Sequence, residues 1–207
     1  MRPSRPVPCT SSRERPFSAI AFLAEGAFST SLSEAASEGA AAVGAALYAK
    51  EKGWGLFNHL DWPGWLEALI AVVVLDFAIY WQHVVVHKVP LLWRLHIVHH
   101  SDLDLDVSSG FRFHPVEIGV SMLYKIVVVL LLGPSAMGVI LFEAILNGMA
   151  QFSHSNIKLP EKLDRILRYV LVTPDMHRIH HSVEVRETNS NYGFNLSVWD
   201  RWFGSYI

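Results

Sequence analysis

Cysteine is nearly missing from this 207-residue chain, where Cys9 stands alone. One thiol cannot close an intramolecular disulfide or build a multi-thiolate metal site, so any metal must be held by nitrogen and oxygen ligands. A basic surplus is missing too. The formal net charge is -2, which argues against a nucleic-acid partner, because phosphate recognition needs an excess of positive charge on some face. Several common catalytic signatures are also absent. Without HExxH there is no helical zinc-protease arrangement, and without a carboxylate-plus-ExxH pattern there is no soluble di-iron bundle. No glycine-rich phosphate loop and no Ser, His, Asp motif appears, so phosphoryl and acyl transfer have no support.

What the chain has instead is apolar length and histidine. Apolar residues make up 51% of it, the mean hydropathy is +0.27, and the apolar content concentrates between Pro63 and Phe152. Three stretches there reach or approach bilayer-spanning length: Trp65 to about His87, roughly Val116 to Leu132, and Ser135 to Phe152. Gly133 and Pro134 make the last two a helical hairpin. Trp54, Trp62 and Trp65, among Gly53, Gly55, Pro63 and Gly64, mark a membrane interface. Ala36 to Ala49 reads as a helix too short and weak to span alone. Residues 1–35, with Arg2, Arg5, Arg13 and Arg15 among serines and prolines, read as a poorly structured lead-in rather than a removable signal. The membrane domain is then 36–207.

Because the hairpin crosses twice, the segment from His87 to Pro115 and everything after Ser153 fall on the same side. The tail carries Lys158, Lys162, Arg165, Arg168, Arg178, Arg186 and Arg201, which places that side in the cytoplasm. Both segments carry histidines. The expected fold is an all-α integral-membrane helical bundle with a cytosolic, histidine-rich cap for two metal ions, in a multi-pass protein.

The chain holds 11 histidines, and their spacing carries the chemistry. His83 and His87 stand four apart, on one helix face. His96, His99 and His100 stand at i, i+3 and i+4, and His177, His180 and His181 repeat that triplet; each triplet is expected to aim its nitrogens at one point. Neutral imidazole ligates iron, zinc, copper and nickel, and eight such rings suit two divalent ions, each with a position left open. A single ion would strand half of them as buried polar groups without partners. His154, just past the third span, is a candidate ninth ligand. His114 is less so, and His59 reads as an interfacial polar residue.

Taken together, HVVVH, HIVHH, RFHPVE, FSHSNIKLP, TPDMHRIHHS and NYGFNLSVWDRWFGSY resemble the fatty acid hydroxylase and sterol desaturase superfamily, in order, from about Glu51 to Tyr206. The resemblance implies two iron ions, O2 activation, and hydroxylation or desaturation of an unactivated lipid C–H bond. It makes His83, His87, His96, His99, His100, His177, His180 and His181 iron ligands and catalytic residues, with His154 matching the lone histidine of the middle motif. The position four residues after His154 is Lys158, so a ligand used in some branches is missing, or is replaced by water, Asn156 or His114. The substrate implied is a long apolar lipid, fatty acyl or sterol-like, entering from the bilayer. Electrons are expected from an external ferredoxin, cytochrome or reductase. The ends look short against the family pattern, and the alternative is a truncated, non-catalytic membrane metal-binding paralogue.

For the partners that orient the rings, Asp76, Asp102, Asp104, Asp175, Asn189 and Asn191 are near enough in sequence. Glu143 and Asn147 are expected either to bond to each other or to face a substrate channel. Arg201 is expected to anchor the tail on aromatic faces.

Overall fold

In the computed structural model, which describes residues 37–102 and 104–207, the regular elements are helical. The one strand-like feature among the described residues is an antiparallel bridge between Leu171 and Leu196. The expectation for residues 1–35 lies outside the described residues. The first half of the fold comprises α1 (37–52), α2 (Gly64–Lys88), α3 (Pro90–His96), α4 (Pro115–Leu132) and α5 (Ala136–His154). Three of these, α2, α4 and α5, are long and apolar enough to cross a membrane. Their bounds agree with the sequence expectation to within about two residues, because the punctuation is chemical. Pro63 and Pro115 start helices, and Gly133 ends α4 in the left-handed conformation (φ 66°).

The alanine run of α1 does not stand apart. Ala42, Ala45 and Ala46 pack with Leu75 and Ile79 of α2, Val129 of α4, and Val139 and Phe142 of α5 in one buried cluster. Small side chains let the backbones approach, so a helix too weak to span alone completes a four-helix core. The outer faces stay apolar. On α4, Val116, Val120, Leu123, Val127 and Leu131 recur at helical spacing and are exposed, as expected of a lipid-facing stripe.

The polar residues in the spans are each used. Oε1 of Glu67 accepts the backbone N–H of Ser135 at 2.8 Å, capping the positive end of α5 from the neighbouring helix. The reversal below it is tight: Gly55 lies against the α4–α5 turn, and a Cβ there would sit 2.3 Å from the Gly133 nitrogen. Lys125 of α4 is buried and pairs with Glu143 of α5 at 2.9 Å and with Glu38 of α1 at 3.3 Å. Asn147 donates to the Glu143 backbone carbonyl at 2.8 Å and the Glu143 carboxylate pairs with Lys125, so of the two expected arrangements the side-chain pair does not form, whereas both residues do line a cleft.

At the other end the chain turns sharply. Val89, held extended before Pro90, ends α2 and starts α3 at once, folding His96, His99 and His100 back beneath His83 and His87. The remaining helices, α6 (Glu161–Leu167), α7 (Pro174–His180), α8 (Val185–Thr188) and α9 (Val198–Phe203), close over this end of the bundle.

Two buried carboxylates fix that closure. Asp76 of α2 accepts from the Asn195 and Leu196 backbone amides at 3.2 and 3.3 Å and from Trp199 Nε1 at 2.8 Å. Asp200 accepts from the amides of Tyr192 and Gly193 at 2.7 and 2.8 Å. Arg201 packs on aromatic rings, as expected, but they are Tyr206 (3.8 Å) and Tyr169 (5.2 Å) rather than the neighbouring tryptophans.

Candidate metal centre

Nine histidines meet where α2 and α5 end, under the loop after α3 and under α7. They form two groups. His83, His87, His96, His100 and His180 make one, and His99, His154, His177 and His181 make the other; within each, the nearest ring nitrogens all lie within 4.8 Å of one another. Eight of the nine are buried, and His100 is half-buried.

The triplets do not each converge on one point. His96 and His100 join the first group while His99 joins the second; His177 and His181 join the second while His180 joins the first. In the second triplet helical geometry explains the exchange: at about 100° per residue along α7 and its C-cap residue His181, positions i and i+4 differ by about 40°, whereas i+3 falls about 60° to the other side. In the first, α3 ends at His96 and a short 3-10 turn, His99–Ser101, follows, so the turn between them sets the directions of His99 and His100. Each triplet therefore supplies a pair to one group and a single ring to its neighbour, which ties the two groups together.

Local structure aims these rings. Thr173 caps α7 through its side chain and Pro174 occupies the first turn, so His177 begins a well-defined turn. Phe113 stacks on His99, with centroids 4.2 Å apart and planes 9° from parallel. Gly110 brings its backbone against His154, where a Cβ would lie 3.2 Å from Nδ1.

Hydrogen bonds on the far ring nitrogens set the tautomers. His83 Nδ1 meets the Tyr192 carbonyl at 2.7 Å, His180 Nδ1 the Ser190 carbonyl at 2.8 Å, and His154 Nδ1 the Ala150 carbonyl at 2.7 Å. His96 Nδ1 meets Glu117 Oε1 at 2.5 Å. A carbonyl can only accept, so Nδ1 of His83, His154 and His180 carries the proton and Nε2 is left as a lone pair facing the group.

The expected orienting residues act differently. Asp76 holds the C-terminal segment, Asp102 bonds Ser109 and Arg112, and Asp175 bonds Arg178. Asp104 is exposed and bonds none of the rings. Asn189 bonds the Val185 carbonyl, and Asn191 bonds the carbonyls of Met176 and Ile207. Asn191 adopts φ 48°, and it lies between the two residues whose carbonyls hold His180 and His83. Neighbours in sequence thus orient the rings through main chain. Side chains of small reach cannot turn back to a ring that lies on another element.

His114 caps α4, its Nδ1 accepting the Val116 N–H at 3.2 Å, and Asn156 and Lys158 are exposed. None of these joins either group, and His59 is exposed at the far end of α2.

These donors fit metal ions. In the five-histidine group, Nε2 of His83, His96 and His180 and both ring nitrogens of His87 and His100 are buried with no hydrogen-bond partner. In each neutral ring one nitrogen is a lone pair, and each orphaned one costs about 1–3 kcal/mol unless something electrophilic meets it. In the four-histidine group, Nε2 of His154 lies 3.2 Å from that of His99 and 3.1 Å from that of His177, and Nε2 of His181 lies 3.1 Å from that of His177. The single lone pair of His154 Nε2 can accept from only one of its two neighbours, so hydrogen bonds alone do not satisfy these contacts. Nitrogens bound to one ion at roughly 2.1 Å lie about 3 Å apart, which is the spacing seen.

Burial holds His99, His177 and His181 well below the usual histidine range, with neighbouring imidazoles adding to the effect, and it brings His180 down to about 3. These rings are neutral at physiological pH, the form that ligates.

A cleft of about 980 Å³ begins at His83 and His96 and runs between α2, α4 and α5, past Ile79, Val86, Ile118 and Leu146, to Lys125 and Glu143. Sequence reasoning missed Glu117, Lys125 and Phe113. A carboxylate and an ammonium placed within an apolar span were the available signals for the first two.

The fatty acid hydroxylase family model matches residues 68–205. Over 147 residues the chain is 31% identical to the ornithine lipid hydroxylase OlsE of Rhizobium tropici, covering 70% of this chain and 43% of that protein. It is also 31% identical over 157 residues to the alkylglycerol monooxygenase of Homo sapiens (73% and 33%). A third relative, the Delta(7)-sterol-C5(6)-desaturase of Nicotiana tabacum, is 30% identical over 173 residues (76% and 58%). The chain thus spans between a third and about three-fifths of the length of these relatives. No solved structure matches. With the family match covering both histidine triplets, His83, His87 and His154, the chain belongs to the fatty acid hydroxylase and sterol desaturase superfamily.

Proposed function

We propose that this chain is a membrane-bound, non-haem di-iron oxidoreductase that uses O2 to hydroxylate or desaturate a C–H bond of a lipid, fatty acyl or sterol-like. One observation carries the reading: two groups of buried imidazoles adjoin, and the first opens through His83 and His96 onto a largely apolar cleft that runs into a bundle of membrane-length helices. Relatives named as a lipid hydroxylase, a monooxygenase and a sterol desaturase support the same chemistry.

His83, His87, His96, His100 and His180 would hold one iron, and His99, His154, His177 and His181 the other. The bound pair supplies reduction of O2 to an oxidant strong enough to take hydrogen from an alkyl carbon. The chain's own residues do the rest. Ile79, Val86, Ile118 and Leu146 hold an alkyl segment and keep water from it. The cleft brings that segment to His83 and His96, so the carbon to be oxidised lies beside the five-histidine group. The carbonyls of Tyr192, Ser190 and Ala150 keep the rings of His83, His180 and His154 in their ligating tautomer.

Electrons come from a separate ferredoxin, cytochrome or reductase, and the basic residues beside the histidines support a cytoplasmic position for that end.

The test is metal analysis of protein purified in detergent, followed by mass analysis of lipid products with a reducing system. About two irons per chain are expected, with one lost in His180→Ala and the other in His99→Ala. Products gain one oxygen if hydroxylated and lose two hydrogens if desaturated. A chain that binds no iron when handled anaerobically would sink the reading; iron without product across a lipid panel would leave the non-catalytic paralogue.

A further inference from the structure

The two histidine groups are not electrostatically alike. We propose that Glu117 is a positioning residue for the first of them: through His96 it supplies the anionic charge that makes the five-histidine position the tighter of the two for a divalent metal. The proposal rests on the metal-binding reading above.

Three observations meet at Glu117. Its Oε1 lies 2.5 Å from His96 Nδ1, and both side chains are more than nine-tenths buried. Its other oxygen, Oε2, is buried with no hydrogen-bond partner. Among the described residues it is the one carboxylate bonded to any of the nine rings, because His83, His154 and His180 bond to neutral backbone carbonyls instead.

Half-satisfied carboxylates are costly to bury, and among the described residues no lysine or arginine side chain pairs with this one. His96 has its Nε2 pointed the opposite way, into the five-histidine group and without a partner. A cation there would meet the carboxylate's charge through the ring. The Nδ1 proton drawn toward Glu117 makes Nε2 a better electron donor, and the short bond fixes the ring's rotation. Among the described residues, the four-histidine group has no such anion bonded to its rings.

Sequence position supports the role. Glu117 lies in the first turn of α4, where a carboxylate is favoured by the helix N-terminus. The preceding Pro115 and the His114 cap start the helix at a fixed residue, which fixes where the carboxylate points relative to α3. Few other features of the bundle reach the histidine end from α4.

The experiment is equilibrium titration of metal-free, detergent-solubilised protein with Co2+, followed by visible absorption, in wild type, Glu117→Gln and Glu117→Leu. Each is also made in the His177→Ala background, which disables the four-histidine position. Two binding steps are expected in wild type. Glu117→Gln keeps an acceptor for His96 but removes the charge, and should weaken the tighter step by about 10-fold; Glu117→Leu removes both, and should weaken it by about 100-fold. The weaker step stays where it was. In the His177→Ala background the single remaining step should show the same graded loss.

Equal weakening of both steps would mean a general structural role and overturn the proposal, as would no change in either. Wild-type protein that binds no Co2+ would instead remove the metal reading itself, and the proposal with it. Glu117→Asp gives a second check on folding, since it keeps charge but withdraws the oxygen from the ring. If it unfolds no more readily than Glu117→Gln, yet binds as weakly as Glu117→Leu, reach to His96 is what matters; wild-type affinity in Glu117→Asp would count against the ring contact.

Discussion

Asp76 lies well inside α2, away from the metal-facing nitrogens, and its loss should nonetheless disturb the histidine end. In Asp76→Ala the amides of Asn195 and Leu196 and the indole N–H of Trp199 lose their common acceptor. The carboxylate is fully buried, so little water is at hand to replace it. Three stranded donors at about 1–3 kcal/mol each, less the relieved desolvation of the carboxylate, give a net loss of about 3–5 kcal/mol. For a domain of this size that is a fall in Tm of roughly 6–20 °C. Thermal unfolding in detergent, followed by tryptophan fluorescence, measures it. The same segment carries the Tyr192 and Ser190 carbonyls that hold His83 and His180, so metal retention should fall alongside. Trp199→Phe, which removes one of the three bonds, should produce about a third of the effect. An Asp76→Ala protein that melts within about 2 °C of wild type and keeps its metal would refute the claim that this carboxylate fastens the cap.

Acid should weaken the metal-free fold. Burial holds His180 down to about 3 from an ordinary 6.5 and keeps His99 and His177 well below theirs. The folded state therefore stays unprotonated where the unfolded chain takes up protons, and stability declines as pH falls from about 6.5, by up to ~1.4 kcal/mol per unit for each group. Chelator-treated protein melted across that range checks it; a Tm that is flat or rises toward acid contradicts it. Inside the bundle, Lys125→Met strips Glu143 of its cation and should destabilise by about 3–5 kcal/mol, while Lys125→Met with Glu143→Leu should recover most of the loss. Equal melting of the single and double variants would refute the claim that the stranded Glu143 carboxylate causes the loss.

The split of the triplets shows what spacing can and cannot deliver. His96 and His100 share a group, as do His177 and His181, and for the second pair that much follows from helical period. That His99 turns to the rings of α5 and α7, while His180 turns to those of α2 and α3, depends on how α3 and α7 are docked across one another. The orienting partners were hidden for a related reason. Backbone carbonyls do that work for His83, His154 and His180, and a carbonyl has no sequence signature. Asp76, expected to orient a ring, holds the C-terminal segment instead. Its partners lie about 120 residues away along the chain, beyond anything local pattern encodes.

By itself the sequence determined the three membrane-length helices, the hairpin at Gly133, the restriction of metal ligands to nitrogen, and the family. Each follows from short-range physics: hydropathy over a bilayer's thickness, the φ preference of glycine and proline, and the lone pairs of imidazole. Tertiary structure decided which five histidines face one point and which four the other, that α1 completes the core, that Glu117 meets His96, and where the cleft runs. Those depend on distances between elements far apart in sequence, which packing sets only when the whole bundle has closed.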